Sequence, residues 1–172
     1  MNTQATLQQL NAMEPAGFTR LLGGVFEHSP WVAGRAAGKR PFASVDQLHA
    51  AMVAEIEAAG LEAQLGLIRA HPELAGKAAV RGELTTASMR EQGGAGLDQC
   101  SPDEFSALQR LNSGYQAKFG FPFVVAVRGH TRHSIIALFE QRLTNSREAE
   151  IRQCLQQIYR IGRFRLEELL AS

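Results

Sequence analysis

Phe121-Pro122-Phe123-Val124-Val125-Ala126-Val127 is the stretch on which the fold class turns. Its aromatic and β-branched residues give it the local propensity of a buried strand, yet a strand needs a partner to close its backbone hydrogen bonds. No second run of that kind occurs in the chain, so the segment reads as a buried extended or helical connection between helices. Its surroundings agree. On the N-terminal side, Ser101-Pro102-Asp103-Glu104 combines an N-cap, a proline at the first helical position and a glutamate at the third. Phe105, Leu108 and Leu111 follow at helical spacing, which predicts a helix running to Phe119. On the C-terminal side, Thr131 can cap a helix carrying Ile135, Leu138, Phe139 and Arg142, and Ser146 can start a last and longest one. Farther out, Ser44-Val45-Asp46-Gln47 has the capping-box form ahead of Leu48, Met52 and Ile56, with Gly60 as a stop, and Ser29-Pro30-Trp31 opens a shorter segment in the same way. Arg35 to Phe42, with its glycine and basic residues, and the flexible Gly93-Gly94-Ala95-Gly96 read as loops. The expectation is an all-α, compact multi-helix fold in one domain spanning residues 1–172.

Composition narrows the function classes. At 172 residues with 45% hydrophobic side chains, the chain can bury one sizeable core. Eighteen Lys and Arg against seventeen Asp and Glu leave a formal charge of +1, so no whole-chain field would gather a polyanion, and nucleic acid is not an expected partner. Cys100 and Cys154 stand in unrelated contexts without metal-site or redox-motif spacing, and read as free thiols. The opening residues lack a basic leader and an apolar core, and no apolar stretch has membrane-spanning length. Leu170-Ala171-Ser172 is not a peroxisomal tripeptide. A cytoplasmic address without membrane contact is therefore expected.

Four places carry chemistry-bearing side chains. In the last helix Ile151, Leu155, Ile158, Gly162 and Leu169 share one face, and Arg165 falls inside that stripe while Arg152, Arg160 and Arg163 project away from it. A cation aimed at the core side needs an acceptor, which either a bound anion or a structural salt bridge can supply. His71 follows Leu65, Leu67 and Ile68 and precedes Pro72, which stops the helix and places the imidazole at a rigid corner. A histidine held there suits acid–base chemistry, and equally suits capping of a helix C-terminus. Ser88 and Glu91, with Gln92 beside them, share a helix face just before the glycine-rich stretch, as a small polar ligand or a solvated helix end would require. His130 and His133 have HxxH spacing, which with His71 or Glu73 would make a weak metal-ligand set. No phosphate-binding loop, dinucleotide fingerprint or nucleophile elbow is present.

Taken in order, His71-Pro72-Glu73-Leu74-Ala75-Gly76-Lys77, Ser88-x-x-Glu91-Gln92 and Phe121-Pro122-Phe123-Val124-Val125 resemble the 2-oxo-4-hydroxy-4-carboxy-5-ureidoimidazoline (OHCU) decarboxylase family. Glu27-His28-Ser29-Pro30-Trp31-Val32, Arg40-Pro41-Phe42 and Arg165-Leu166 extend the resemblance over nearly the whole chain. It implies a helical fold of its own kind, usually a homodimer, acting on a small ureidoimidazoline to give (S)-allantoin as the third enzyme of urate oxidation. It further implies His71 as general acid or base beside Pro72. Ser88, Glu91 and Gln92 become ligand-contacting residues, with Glu91 also tuning or orienting His71. Arg165 becomes a substrate-binding residue, and the backbone of Phe123, Val124, Val125, Ala126 and Val127 a holder of ring amide edges. No cofactor and no metal are implied. Two rival readings remain at this point: a metal-dependent amidohydrolase built on His71, His130 and His133, and a non-catalytic helical interaction module.

Overall fold

The computed structural model describes residues 4–76, 79 and 81–171. Among these no strand forms, and β-type pairing is confined to an isolated bridge between Ala5 and Leu170. The helices are α1 (Leu7–Ala12), α2 (Pro15–Leu22), α3 (Trp31–Ala36), α4 (Val45–Ala59), α5 (Leu61–Ala70), α6 (Thr86–Gly94), α7 (Pro102–Phe119), α8 (Arg132–Arg142) and α9 (Arg147–Leu169). They fall into two compact units, one comprising Met1–Ala70 with Ile158–Ser172 and the other His71–Gln157.

In the first unit α3 packs against α2 and α4, around fully buried Leu10, Phe18, Leu22, Val32, Leu48, Met52 and Ile56. Three sequence expectations change here. Ser29 does not cap α3. Its hydroxyl donates to the Glu27 carbonyl at 2.9 Å, and the cap position is Pro30 in helical conformation without a side-chain bond. Ser44 accepts from the Gln47 amide at 3.1 Å, but Gln47 reaches back to the Ala43 N–H at 2.8 Å, one residue earlier than a reciprocal box requires. Arg35 to Lys39 is helical: Arg35 and Ala36 close α3, and Ala37–Lys39 make a 3₁₀ turn. Burial of Ala36 and Ala37 holds that turn. Arg40 fastens it from outside, donating to the carbonyls of Ala37 at 2.9 Å and Leu10 at 3.0 Å, and to that of Met13, with its guanidinium 5.0 Å from the Phe18 ring. In the same unit, Gly162 of α9 lies against Phe26, where an added Cβ would stand 2.7 Å from the ring.

In the second unit α7 starts on a complete capping box: Ser101 accepts from the Glu104 N–H at 3.2 Å and Glu104 accepts from the Ser101 N–H at 2.8 Å. The Glu104 carboxyl is held below the usual carboxylate range, first by that backbone bond. Thr131 caps α8 as expected. Gly93 and Gly94 end α6, so the glycine-rich stretch is partly helical, with Gly96 at φ +78° completing the turn.

Phe121–Val127 is neither helix nor strand, and every residue in it is buried. Buried backbone groups still need partners, and side chains provide them. The Val124 carbonyl accepts from Arg142 Nη1 at 2.6 Å, and the Ala126 N–H donates to Gln157 Oε1 at 3.0 Å. Arg142 is itself buried at 3% exposure, paired with Glu150 at 2.9 Å and lying 4.3 Å above the Phe123 ring. Phe123 stacks on Phe139 at 3.9 Å, and Tyr115 meets both edge-on. Tyr115 donates to Glu150 Oε1 at 2.5 Å and Asn145 donates to Glu150 Oε2 at 2.9 Å. Burial pushes the Tyr115 hydroxyl and the Cys154 thiol beside it upward, so both stay protonated.

Candidate functional site

α5 ends at Ala70 and hands the chain to His71 and Pro72. His71 is buried, at 7% exposure. The turn that follows is unusually constrained. Ala75 has φ +51°, a left-handed conformation that a Cβ disfavours, and at Gly76 an added Cβ would meet Glu73 Cβ at 2.7 Å. Its backbone groups go to side-chain amides on α6 and α7. The Ala75 N–H donates to Gln92 Oε1 at 3.0 Å, and Gln92 Nε2 donates to the Glu73 carbonyl at 3.4 Å. Asn112 Nδ2 donates to the Leu74 carbonyl at 2.9 Å, and Gln109 Nε2 donates to the Ala75 carbonyl at 2.7 Å. Lys77, the last residue of the quoted motif, lies outside the described residues.

Thr85 caps α6 by accepting from the Ser88 N–H at 3.2 Å. That helix presents Ser88 and Gln92 as buried side chains and leaves Glu91 half-buried. Gln92 thus ties the Ser88–Glu91 helix to the turn after His71, a link that spacing did not reveal. A cavity of about 480 Å³ opens beside it, with Ala75 and Gln92 on its wall and Leu84, Met89, Leu97 and Phe105 making it largely apolar. The backbone through Phe123, Val124, Val125, Ala126 and Val127 is held elsewhere, at Val124 by Arg142 and at Ala126 by Gln157.

Arg165 belongs to the other unit and faces its core, at 6% exposure, whereas Arg152 and Arg160 are exposed. Glu27, with a side chain 1% exposed, pairs with it at 2.8 Å, and the Gly24 carbonyl accepts from Nη1 at 3.1 Å. A buried carboxylate thus partners the guanidinium and sets its direction. Glu27 entered the sequence reading only as part of a motif. Its buried acceptor role became visible through the 138-residue chain separation that folding closes, and no local pattern announces it.

The histidines of the HxxH pair have other partners. His130 Nδ1 lies 3.0 Å from Ser134 Oγ, and His133, largely exposed, lies 3.1 Å from Glu104. Among the described residues no group of three His, Cys, Asp or Glu side chains is arranged to hold a metal ion, and both cysteines are free. No helix among them is long and apolar enough to cross a membrane.

The sequence profile of OHCU decarboxylase matches residues 11–167. The chain belongs to the OHCU decarboxylase family. It is 43% identical over 169 residues to the 2-oxo-4-hydroxy-4-carboxy-5-ureidoimidazoline decarboxylase of Haloferax volcanii, covering 98% of each chain. It is 42% identical to the uric acid degradation bifunctional protein PucL of Bacillus subtilis, with 97% of this chain spanning 33% of that one. A crystal structure of (S)-allantoin synthase superposes with a TM-score of 0.79 at 27% identity, over 96% of this chain and 54% of that one. The family fold is thus the helical one described above.

Proposed function

We infer that this member of the OHCU decarboxylase family is a carboxy-lyase that converts 2-oxo-4-hydroxy-4-carboxy-5-ureidoimidazoline to (S)-allantoin, a step of urate degradation. The observation that carries this reading is the match along nearly the full chain to a relative named for that substrate.

The substrate's carboxylate sits on a hydroxyl-bearing ring carbon next to a C=N bond. When the bond to CO2 breaks, its electron pair enters the ring as a new C=C while the C=N nitrogen takes up a proton. Moving a proton from the hydroxyl side to the ureido-bearing carbon then gives the ring carbonyl and the stereocentre. The substrate supplies its own electron sink, which supports a reaction without an organic cofactor or metal. What the protein must add is orientation and placed proton transfer. His71 performs the proton transfers, adjoined by Pro72, with Glu91 orienting it and holding the ureido arm. Ser88, Gln92, Arg165 and the backbone of Phe123 to Val127 bind the polar edges. A buried imidazole on a turn fixed by four backbone contacts supports the first assignment. The reading extends to one catalytic domain over residues 1–172, a cytoplasmic homodimer.

The test is to generate the unstable substrate in situ from urate and follow circular dichroism. With the protein present, (S)-allantoin accumulates faster than in its absence, and prior dialysis against a chelator leaves the rate unchanged. A racemic product formed at the spontaneous rate would remove the assignment. Recovery by added divalent ion after a chelator loss would restore the amidohydrolase alternative.

Arg165 gives a second expected outcome. Arg165→Lys keeps a cation beside Glu27 but loses the planar fork, so KM rises by about tenfold or more while folding is largely kept. Arg165→Gln removes the guanidinium that pairs with buried Glu27 at 2.8 Å and lowers the melting temperature as well. Michaelis kinetics beside thermal melts check this; unchanged KM in the lysine variant would make Arg165 purely structural.

A further inference from the structure

We propose that Gln109 is a positioning residue for His71, acting through the left-handed turn at Ala75. The inference rests on the reading of His71 as the proton-transfer group and adds a residue that the reading does not contain. Four backbone groups in Glu73, Leu74 and Ala75 are held by side-chain amides, and three of the four are carbonyls that accept an N–H. In an ordinary turn those groups would face water or close on the chain itself. Here helices α6 and α7 take them, and the shortest of the four contacts is Gln109 Nε2 to the Ala75 carbonyl, at 2.7 Å.

The need for such a restraint lies in Ala75. At φ +51° its Cβ crowds the backbone, so left alone the residue would relax toward negative φ and take the turn from His71 to Ala75 with it. The Gln92 contact to the Ala75 N–H and the Gln109 contact to its carbonyl grip the two sides of that one residue. Asn112 holds the preceding carbonyl from the same face of α7, three residues along from Gln109. Asn112 and Gln92 are buried, and exchanging either disturbs the core, whereas Gln109 is half-buried and its removal separates positioning from folding. Its amide binds the Ala75 carbonyl, four residues of chain beyond His71, and acts on the imidazole through the turn, so its effect falls on geometry. Small displacements of a catalytic group are costly in rate.

Gln109→Met keeps length and helix propensity and deletes the donor; Gln109→Glu, isosteric and also without the donor, serves if the methionine variant does not fold. With substrate generated in situ, kcat falls about tenfold, KM stays within about twofold, and the melting temperature changes little. The fraction of (S) product declines in parallel, because a displaced donor protonates with less facial preference. Adding Ala75→Gly, which accepts positive φ without a Cβ, recovers at least about a third of the lost kcat. Wild-type kcat and stereochemistry in the Gln109 variants, with His71→Asn strongly impaired in the same assay, would overturn the proposal while leaving the role of His71 intact. Loss of kcat that Ala75→Gly does not recover would also overturn it, since the turn would then not be what Gln109 holds. If His71→Asn is itself fully active, the reading beneath the proposal fails instead.

Discussion

Replacing His71 by asparagine lowers kcat by roughly 10²–10⁴-fold, the contribution of a positioned general acid or base. Asparagine keeps polarity in a buried position, so folding and KM change less than kcat. The product changes as well. Decarboxylation leaves a planar carbon that can take its proton from either face, and without a placed donor the residual product drifts toward racemic allantoin. Polarimetry or circular dichroism of the accumulated product reads this independently of rate. A folded His71→Asn protein that turns over at the wild-type rate and still delivers only the (S) form would make this histidine structural.

Arg142→Met gives the largest expected loss of stability. Glu150 is fully buried and pairs with Arg142 at 2.9 Å, so removing the cation leaves a carboxylate held only by the hydroxyl of Tyr115 and the amide of Asn145. Breaking one side of a buried ion pair costs about 3–5 kcal/mol. In a chain of this size that lowers the melting temperature by on the order of 10 °C. The Val124 carbonyl loses its donor in the same substitution, which loosens the segment through Phe121–Val127. Pairing Arg142→Met with Glu150→Gln removes the stranded charge and returns part of the stability. Thermal and urea melts of the two variants check both statements; an Arg142→Met protein within about 1 kcal/mol of wild type would mean the pair contributes little.

How much of this was legible in the chain depended on range. Ser101-Pro102-Asp103-Glu104 and Thr131 announced helix starts because a cap is a contact over three residues, and both formed. The absence of a second strand-forming run correctly argued against a sheet. Arg35 to Lys39 was misread because glycine and basic composition suggested a loop, while the burial of Ala36 and Ala37 that makes it helical depends on helices elsewhere. Arg142 looked like one more position on a helix face. Its neighbours come from two other segments, Glu150 from the last helix and Val124 and Phe123 from the extended stretch before α8, and only folding assembles them. The same holds for Gln109 and Asn112, whose acceptors are the Ala75 and Leu74 carbonyls, 34 and 38 residues away along the chain. The helix stop just ahead of His71, by contrast, was readable beforehand, because the proline after it restricts the backbone locally.

Gly162 can be regarded as a gauge block. Its hydrogen fills the whole clearance to Phe26, and a methyl group would already intrude to 2.7 Å of the ring. Phe26 is the chain neighbour of Glu27, and Gly162 lies three residues ahead of Arg165 on the same helix face, so one inserted carbon would push the acid and the base of that ion pair from opposite sides at once. A residue without a side chain in the last helix therefore sets the spacing of the Glu27–Arg165 pair.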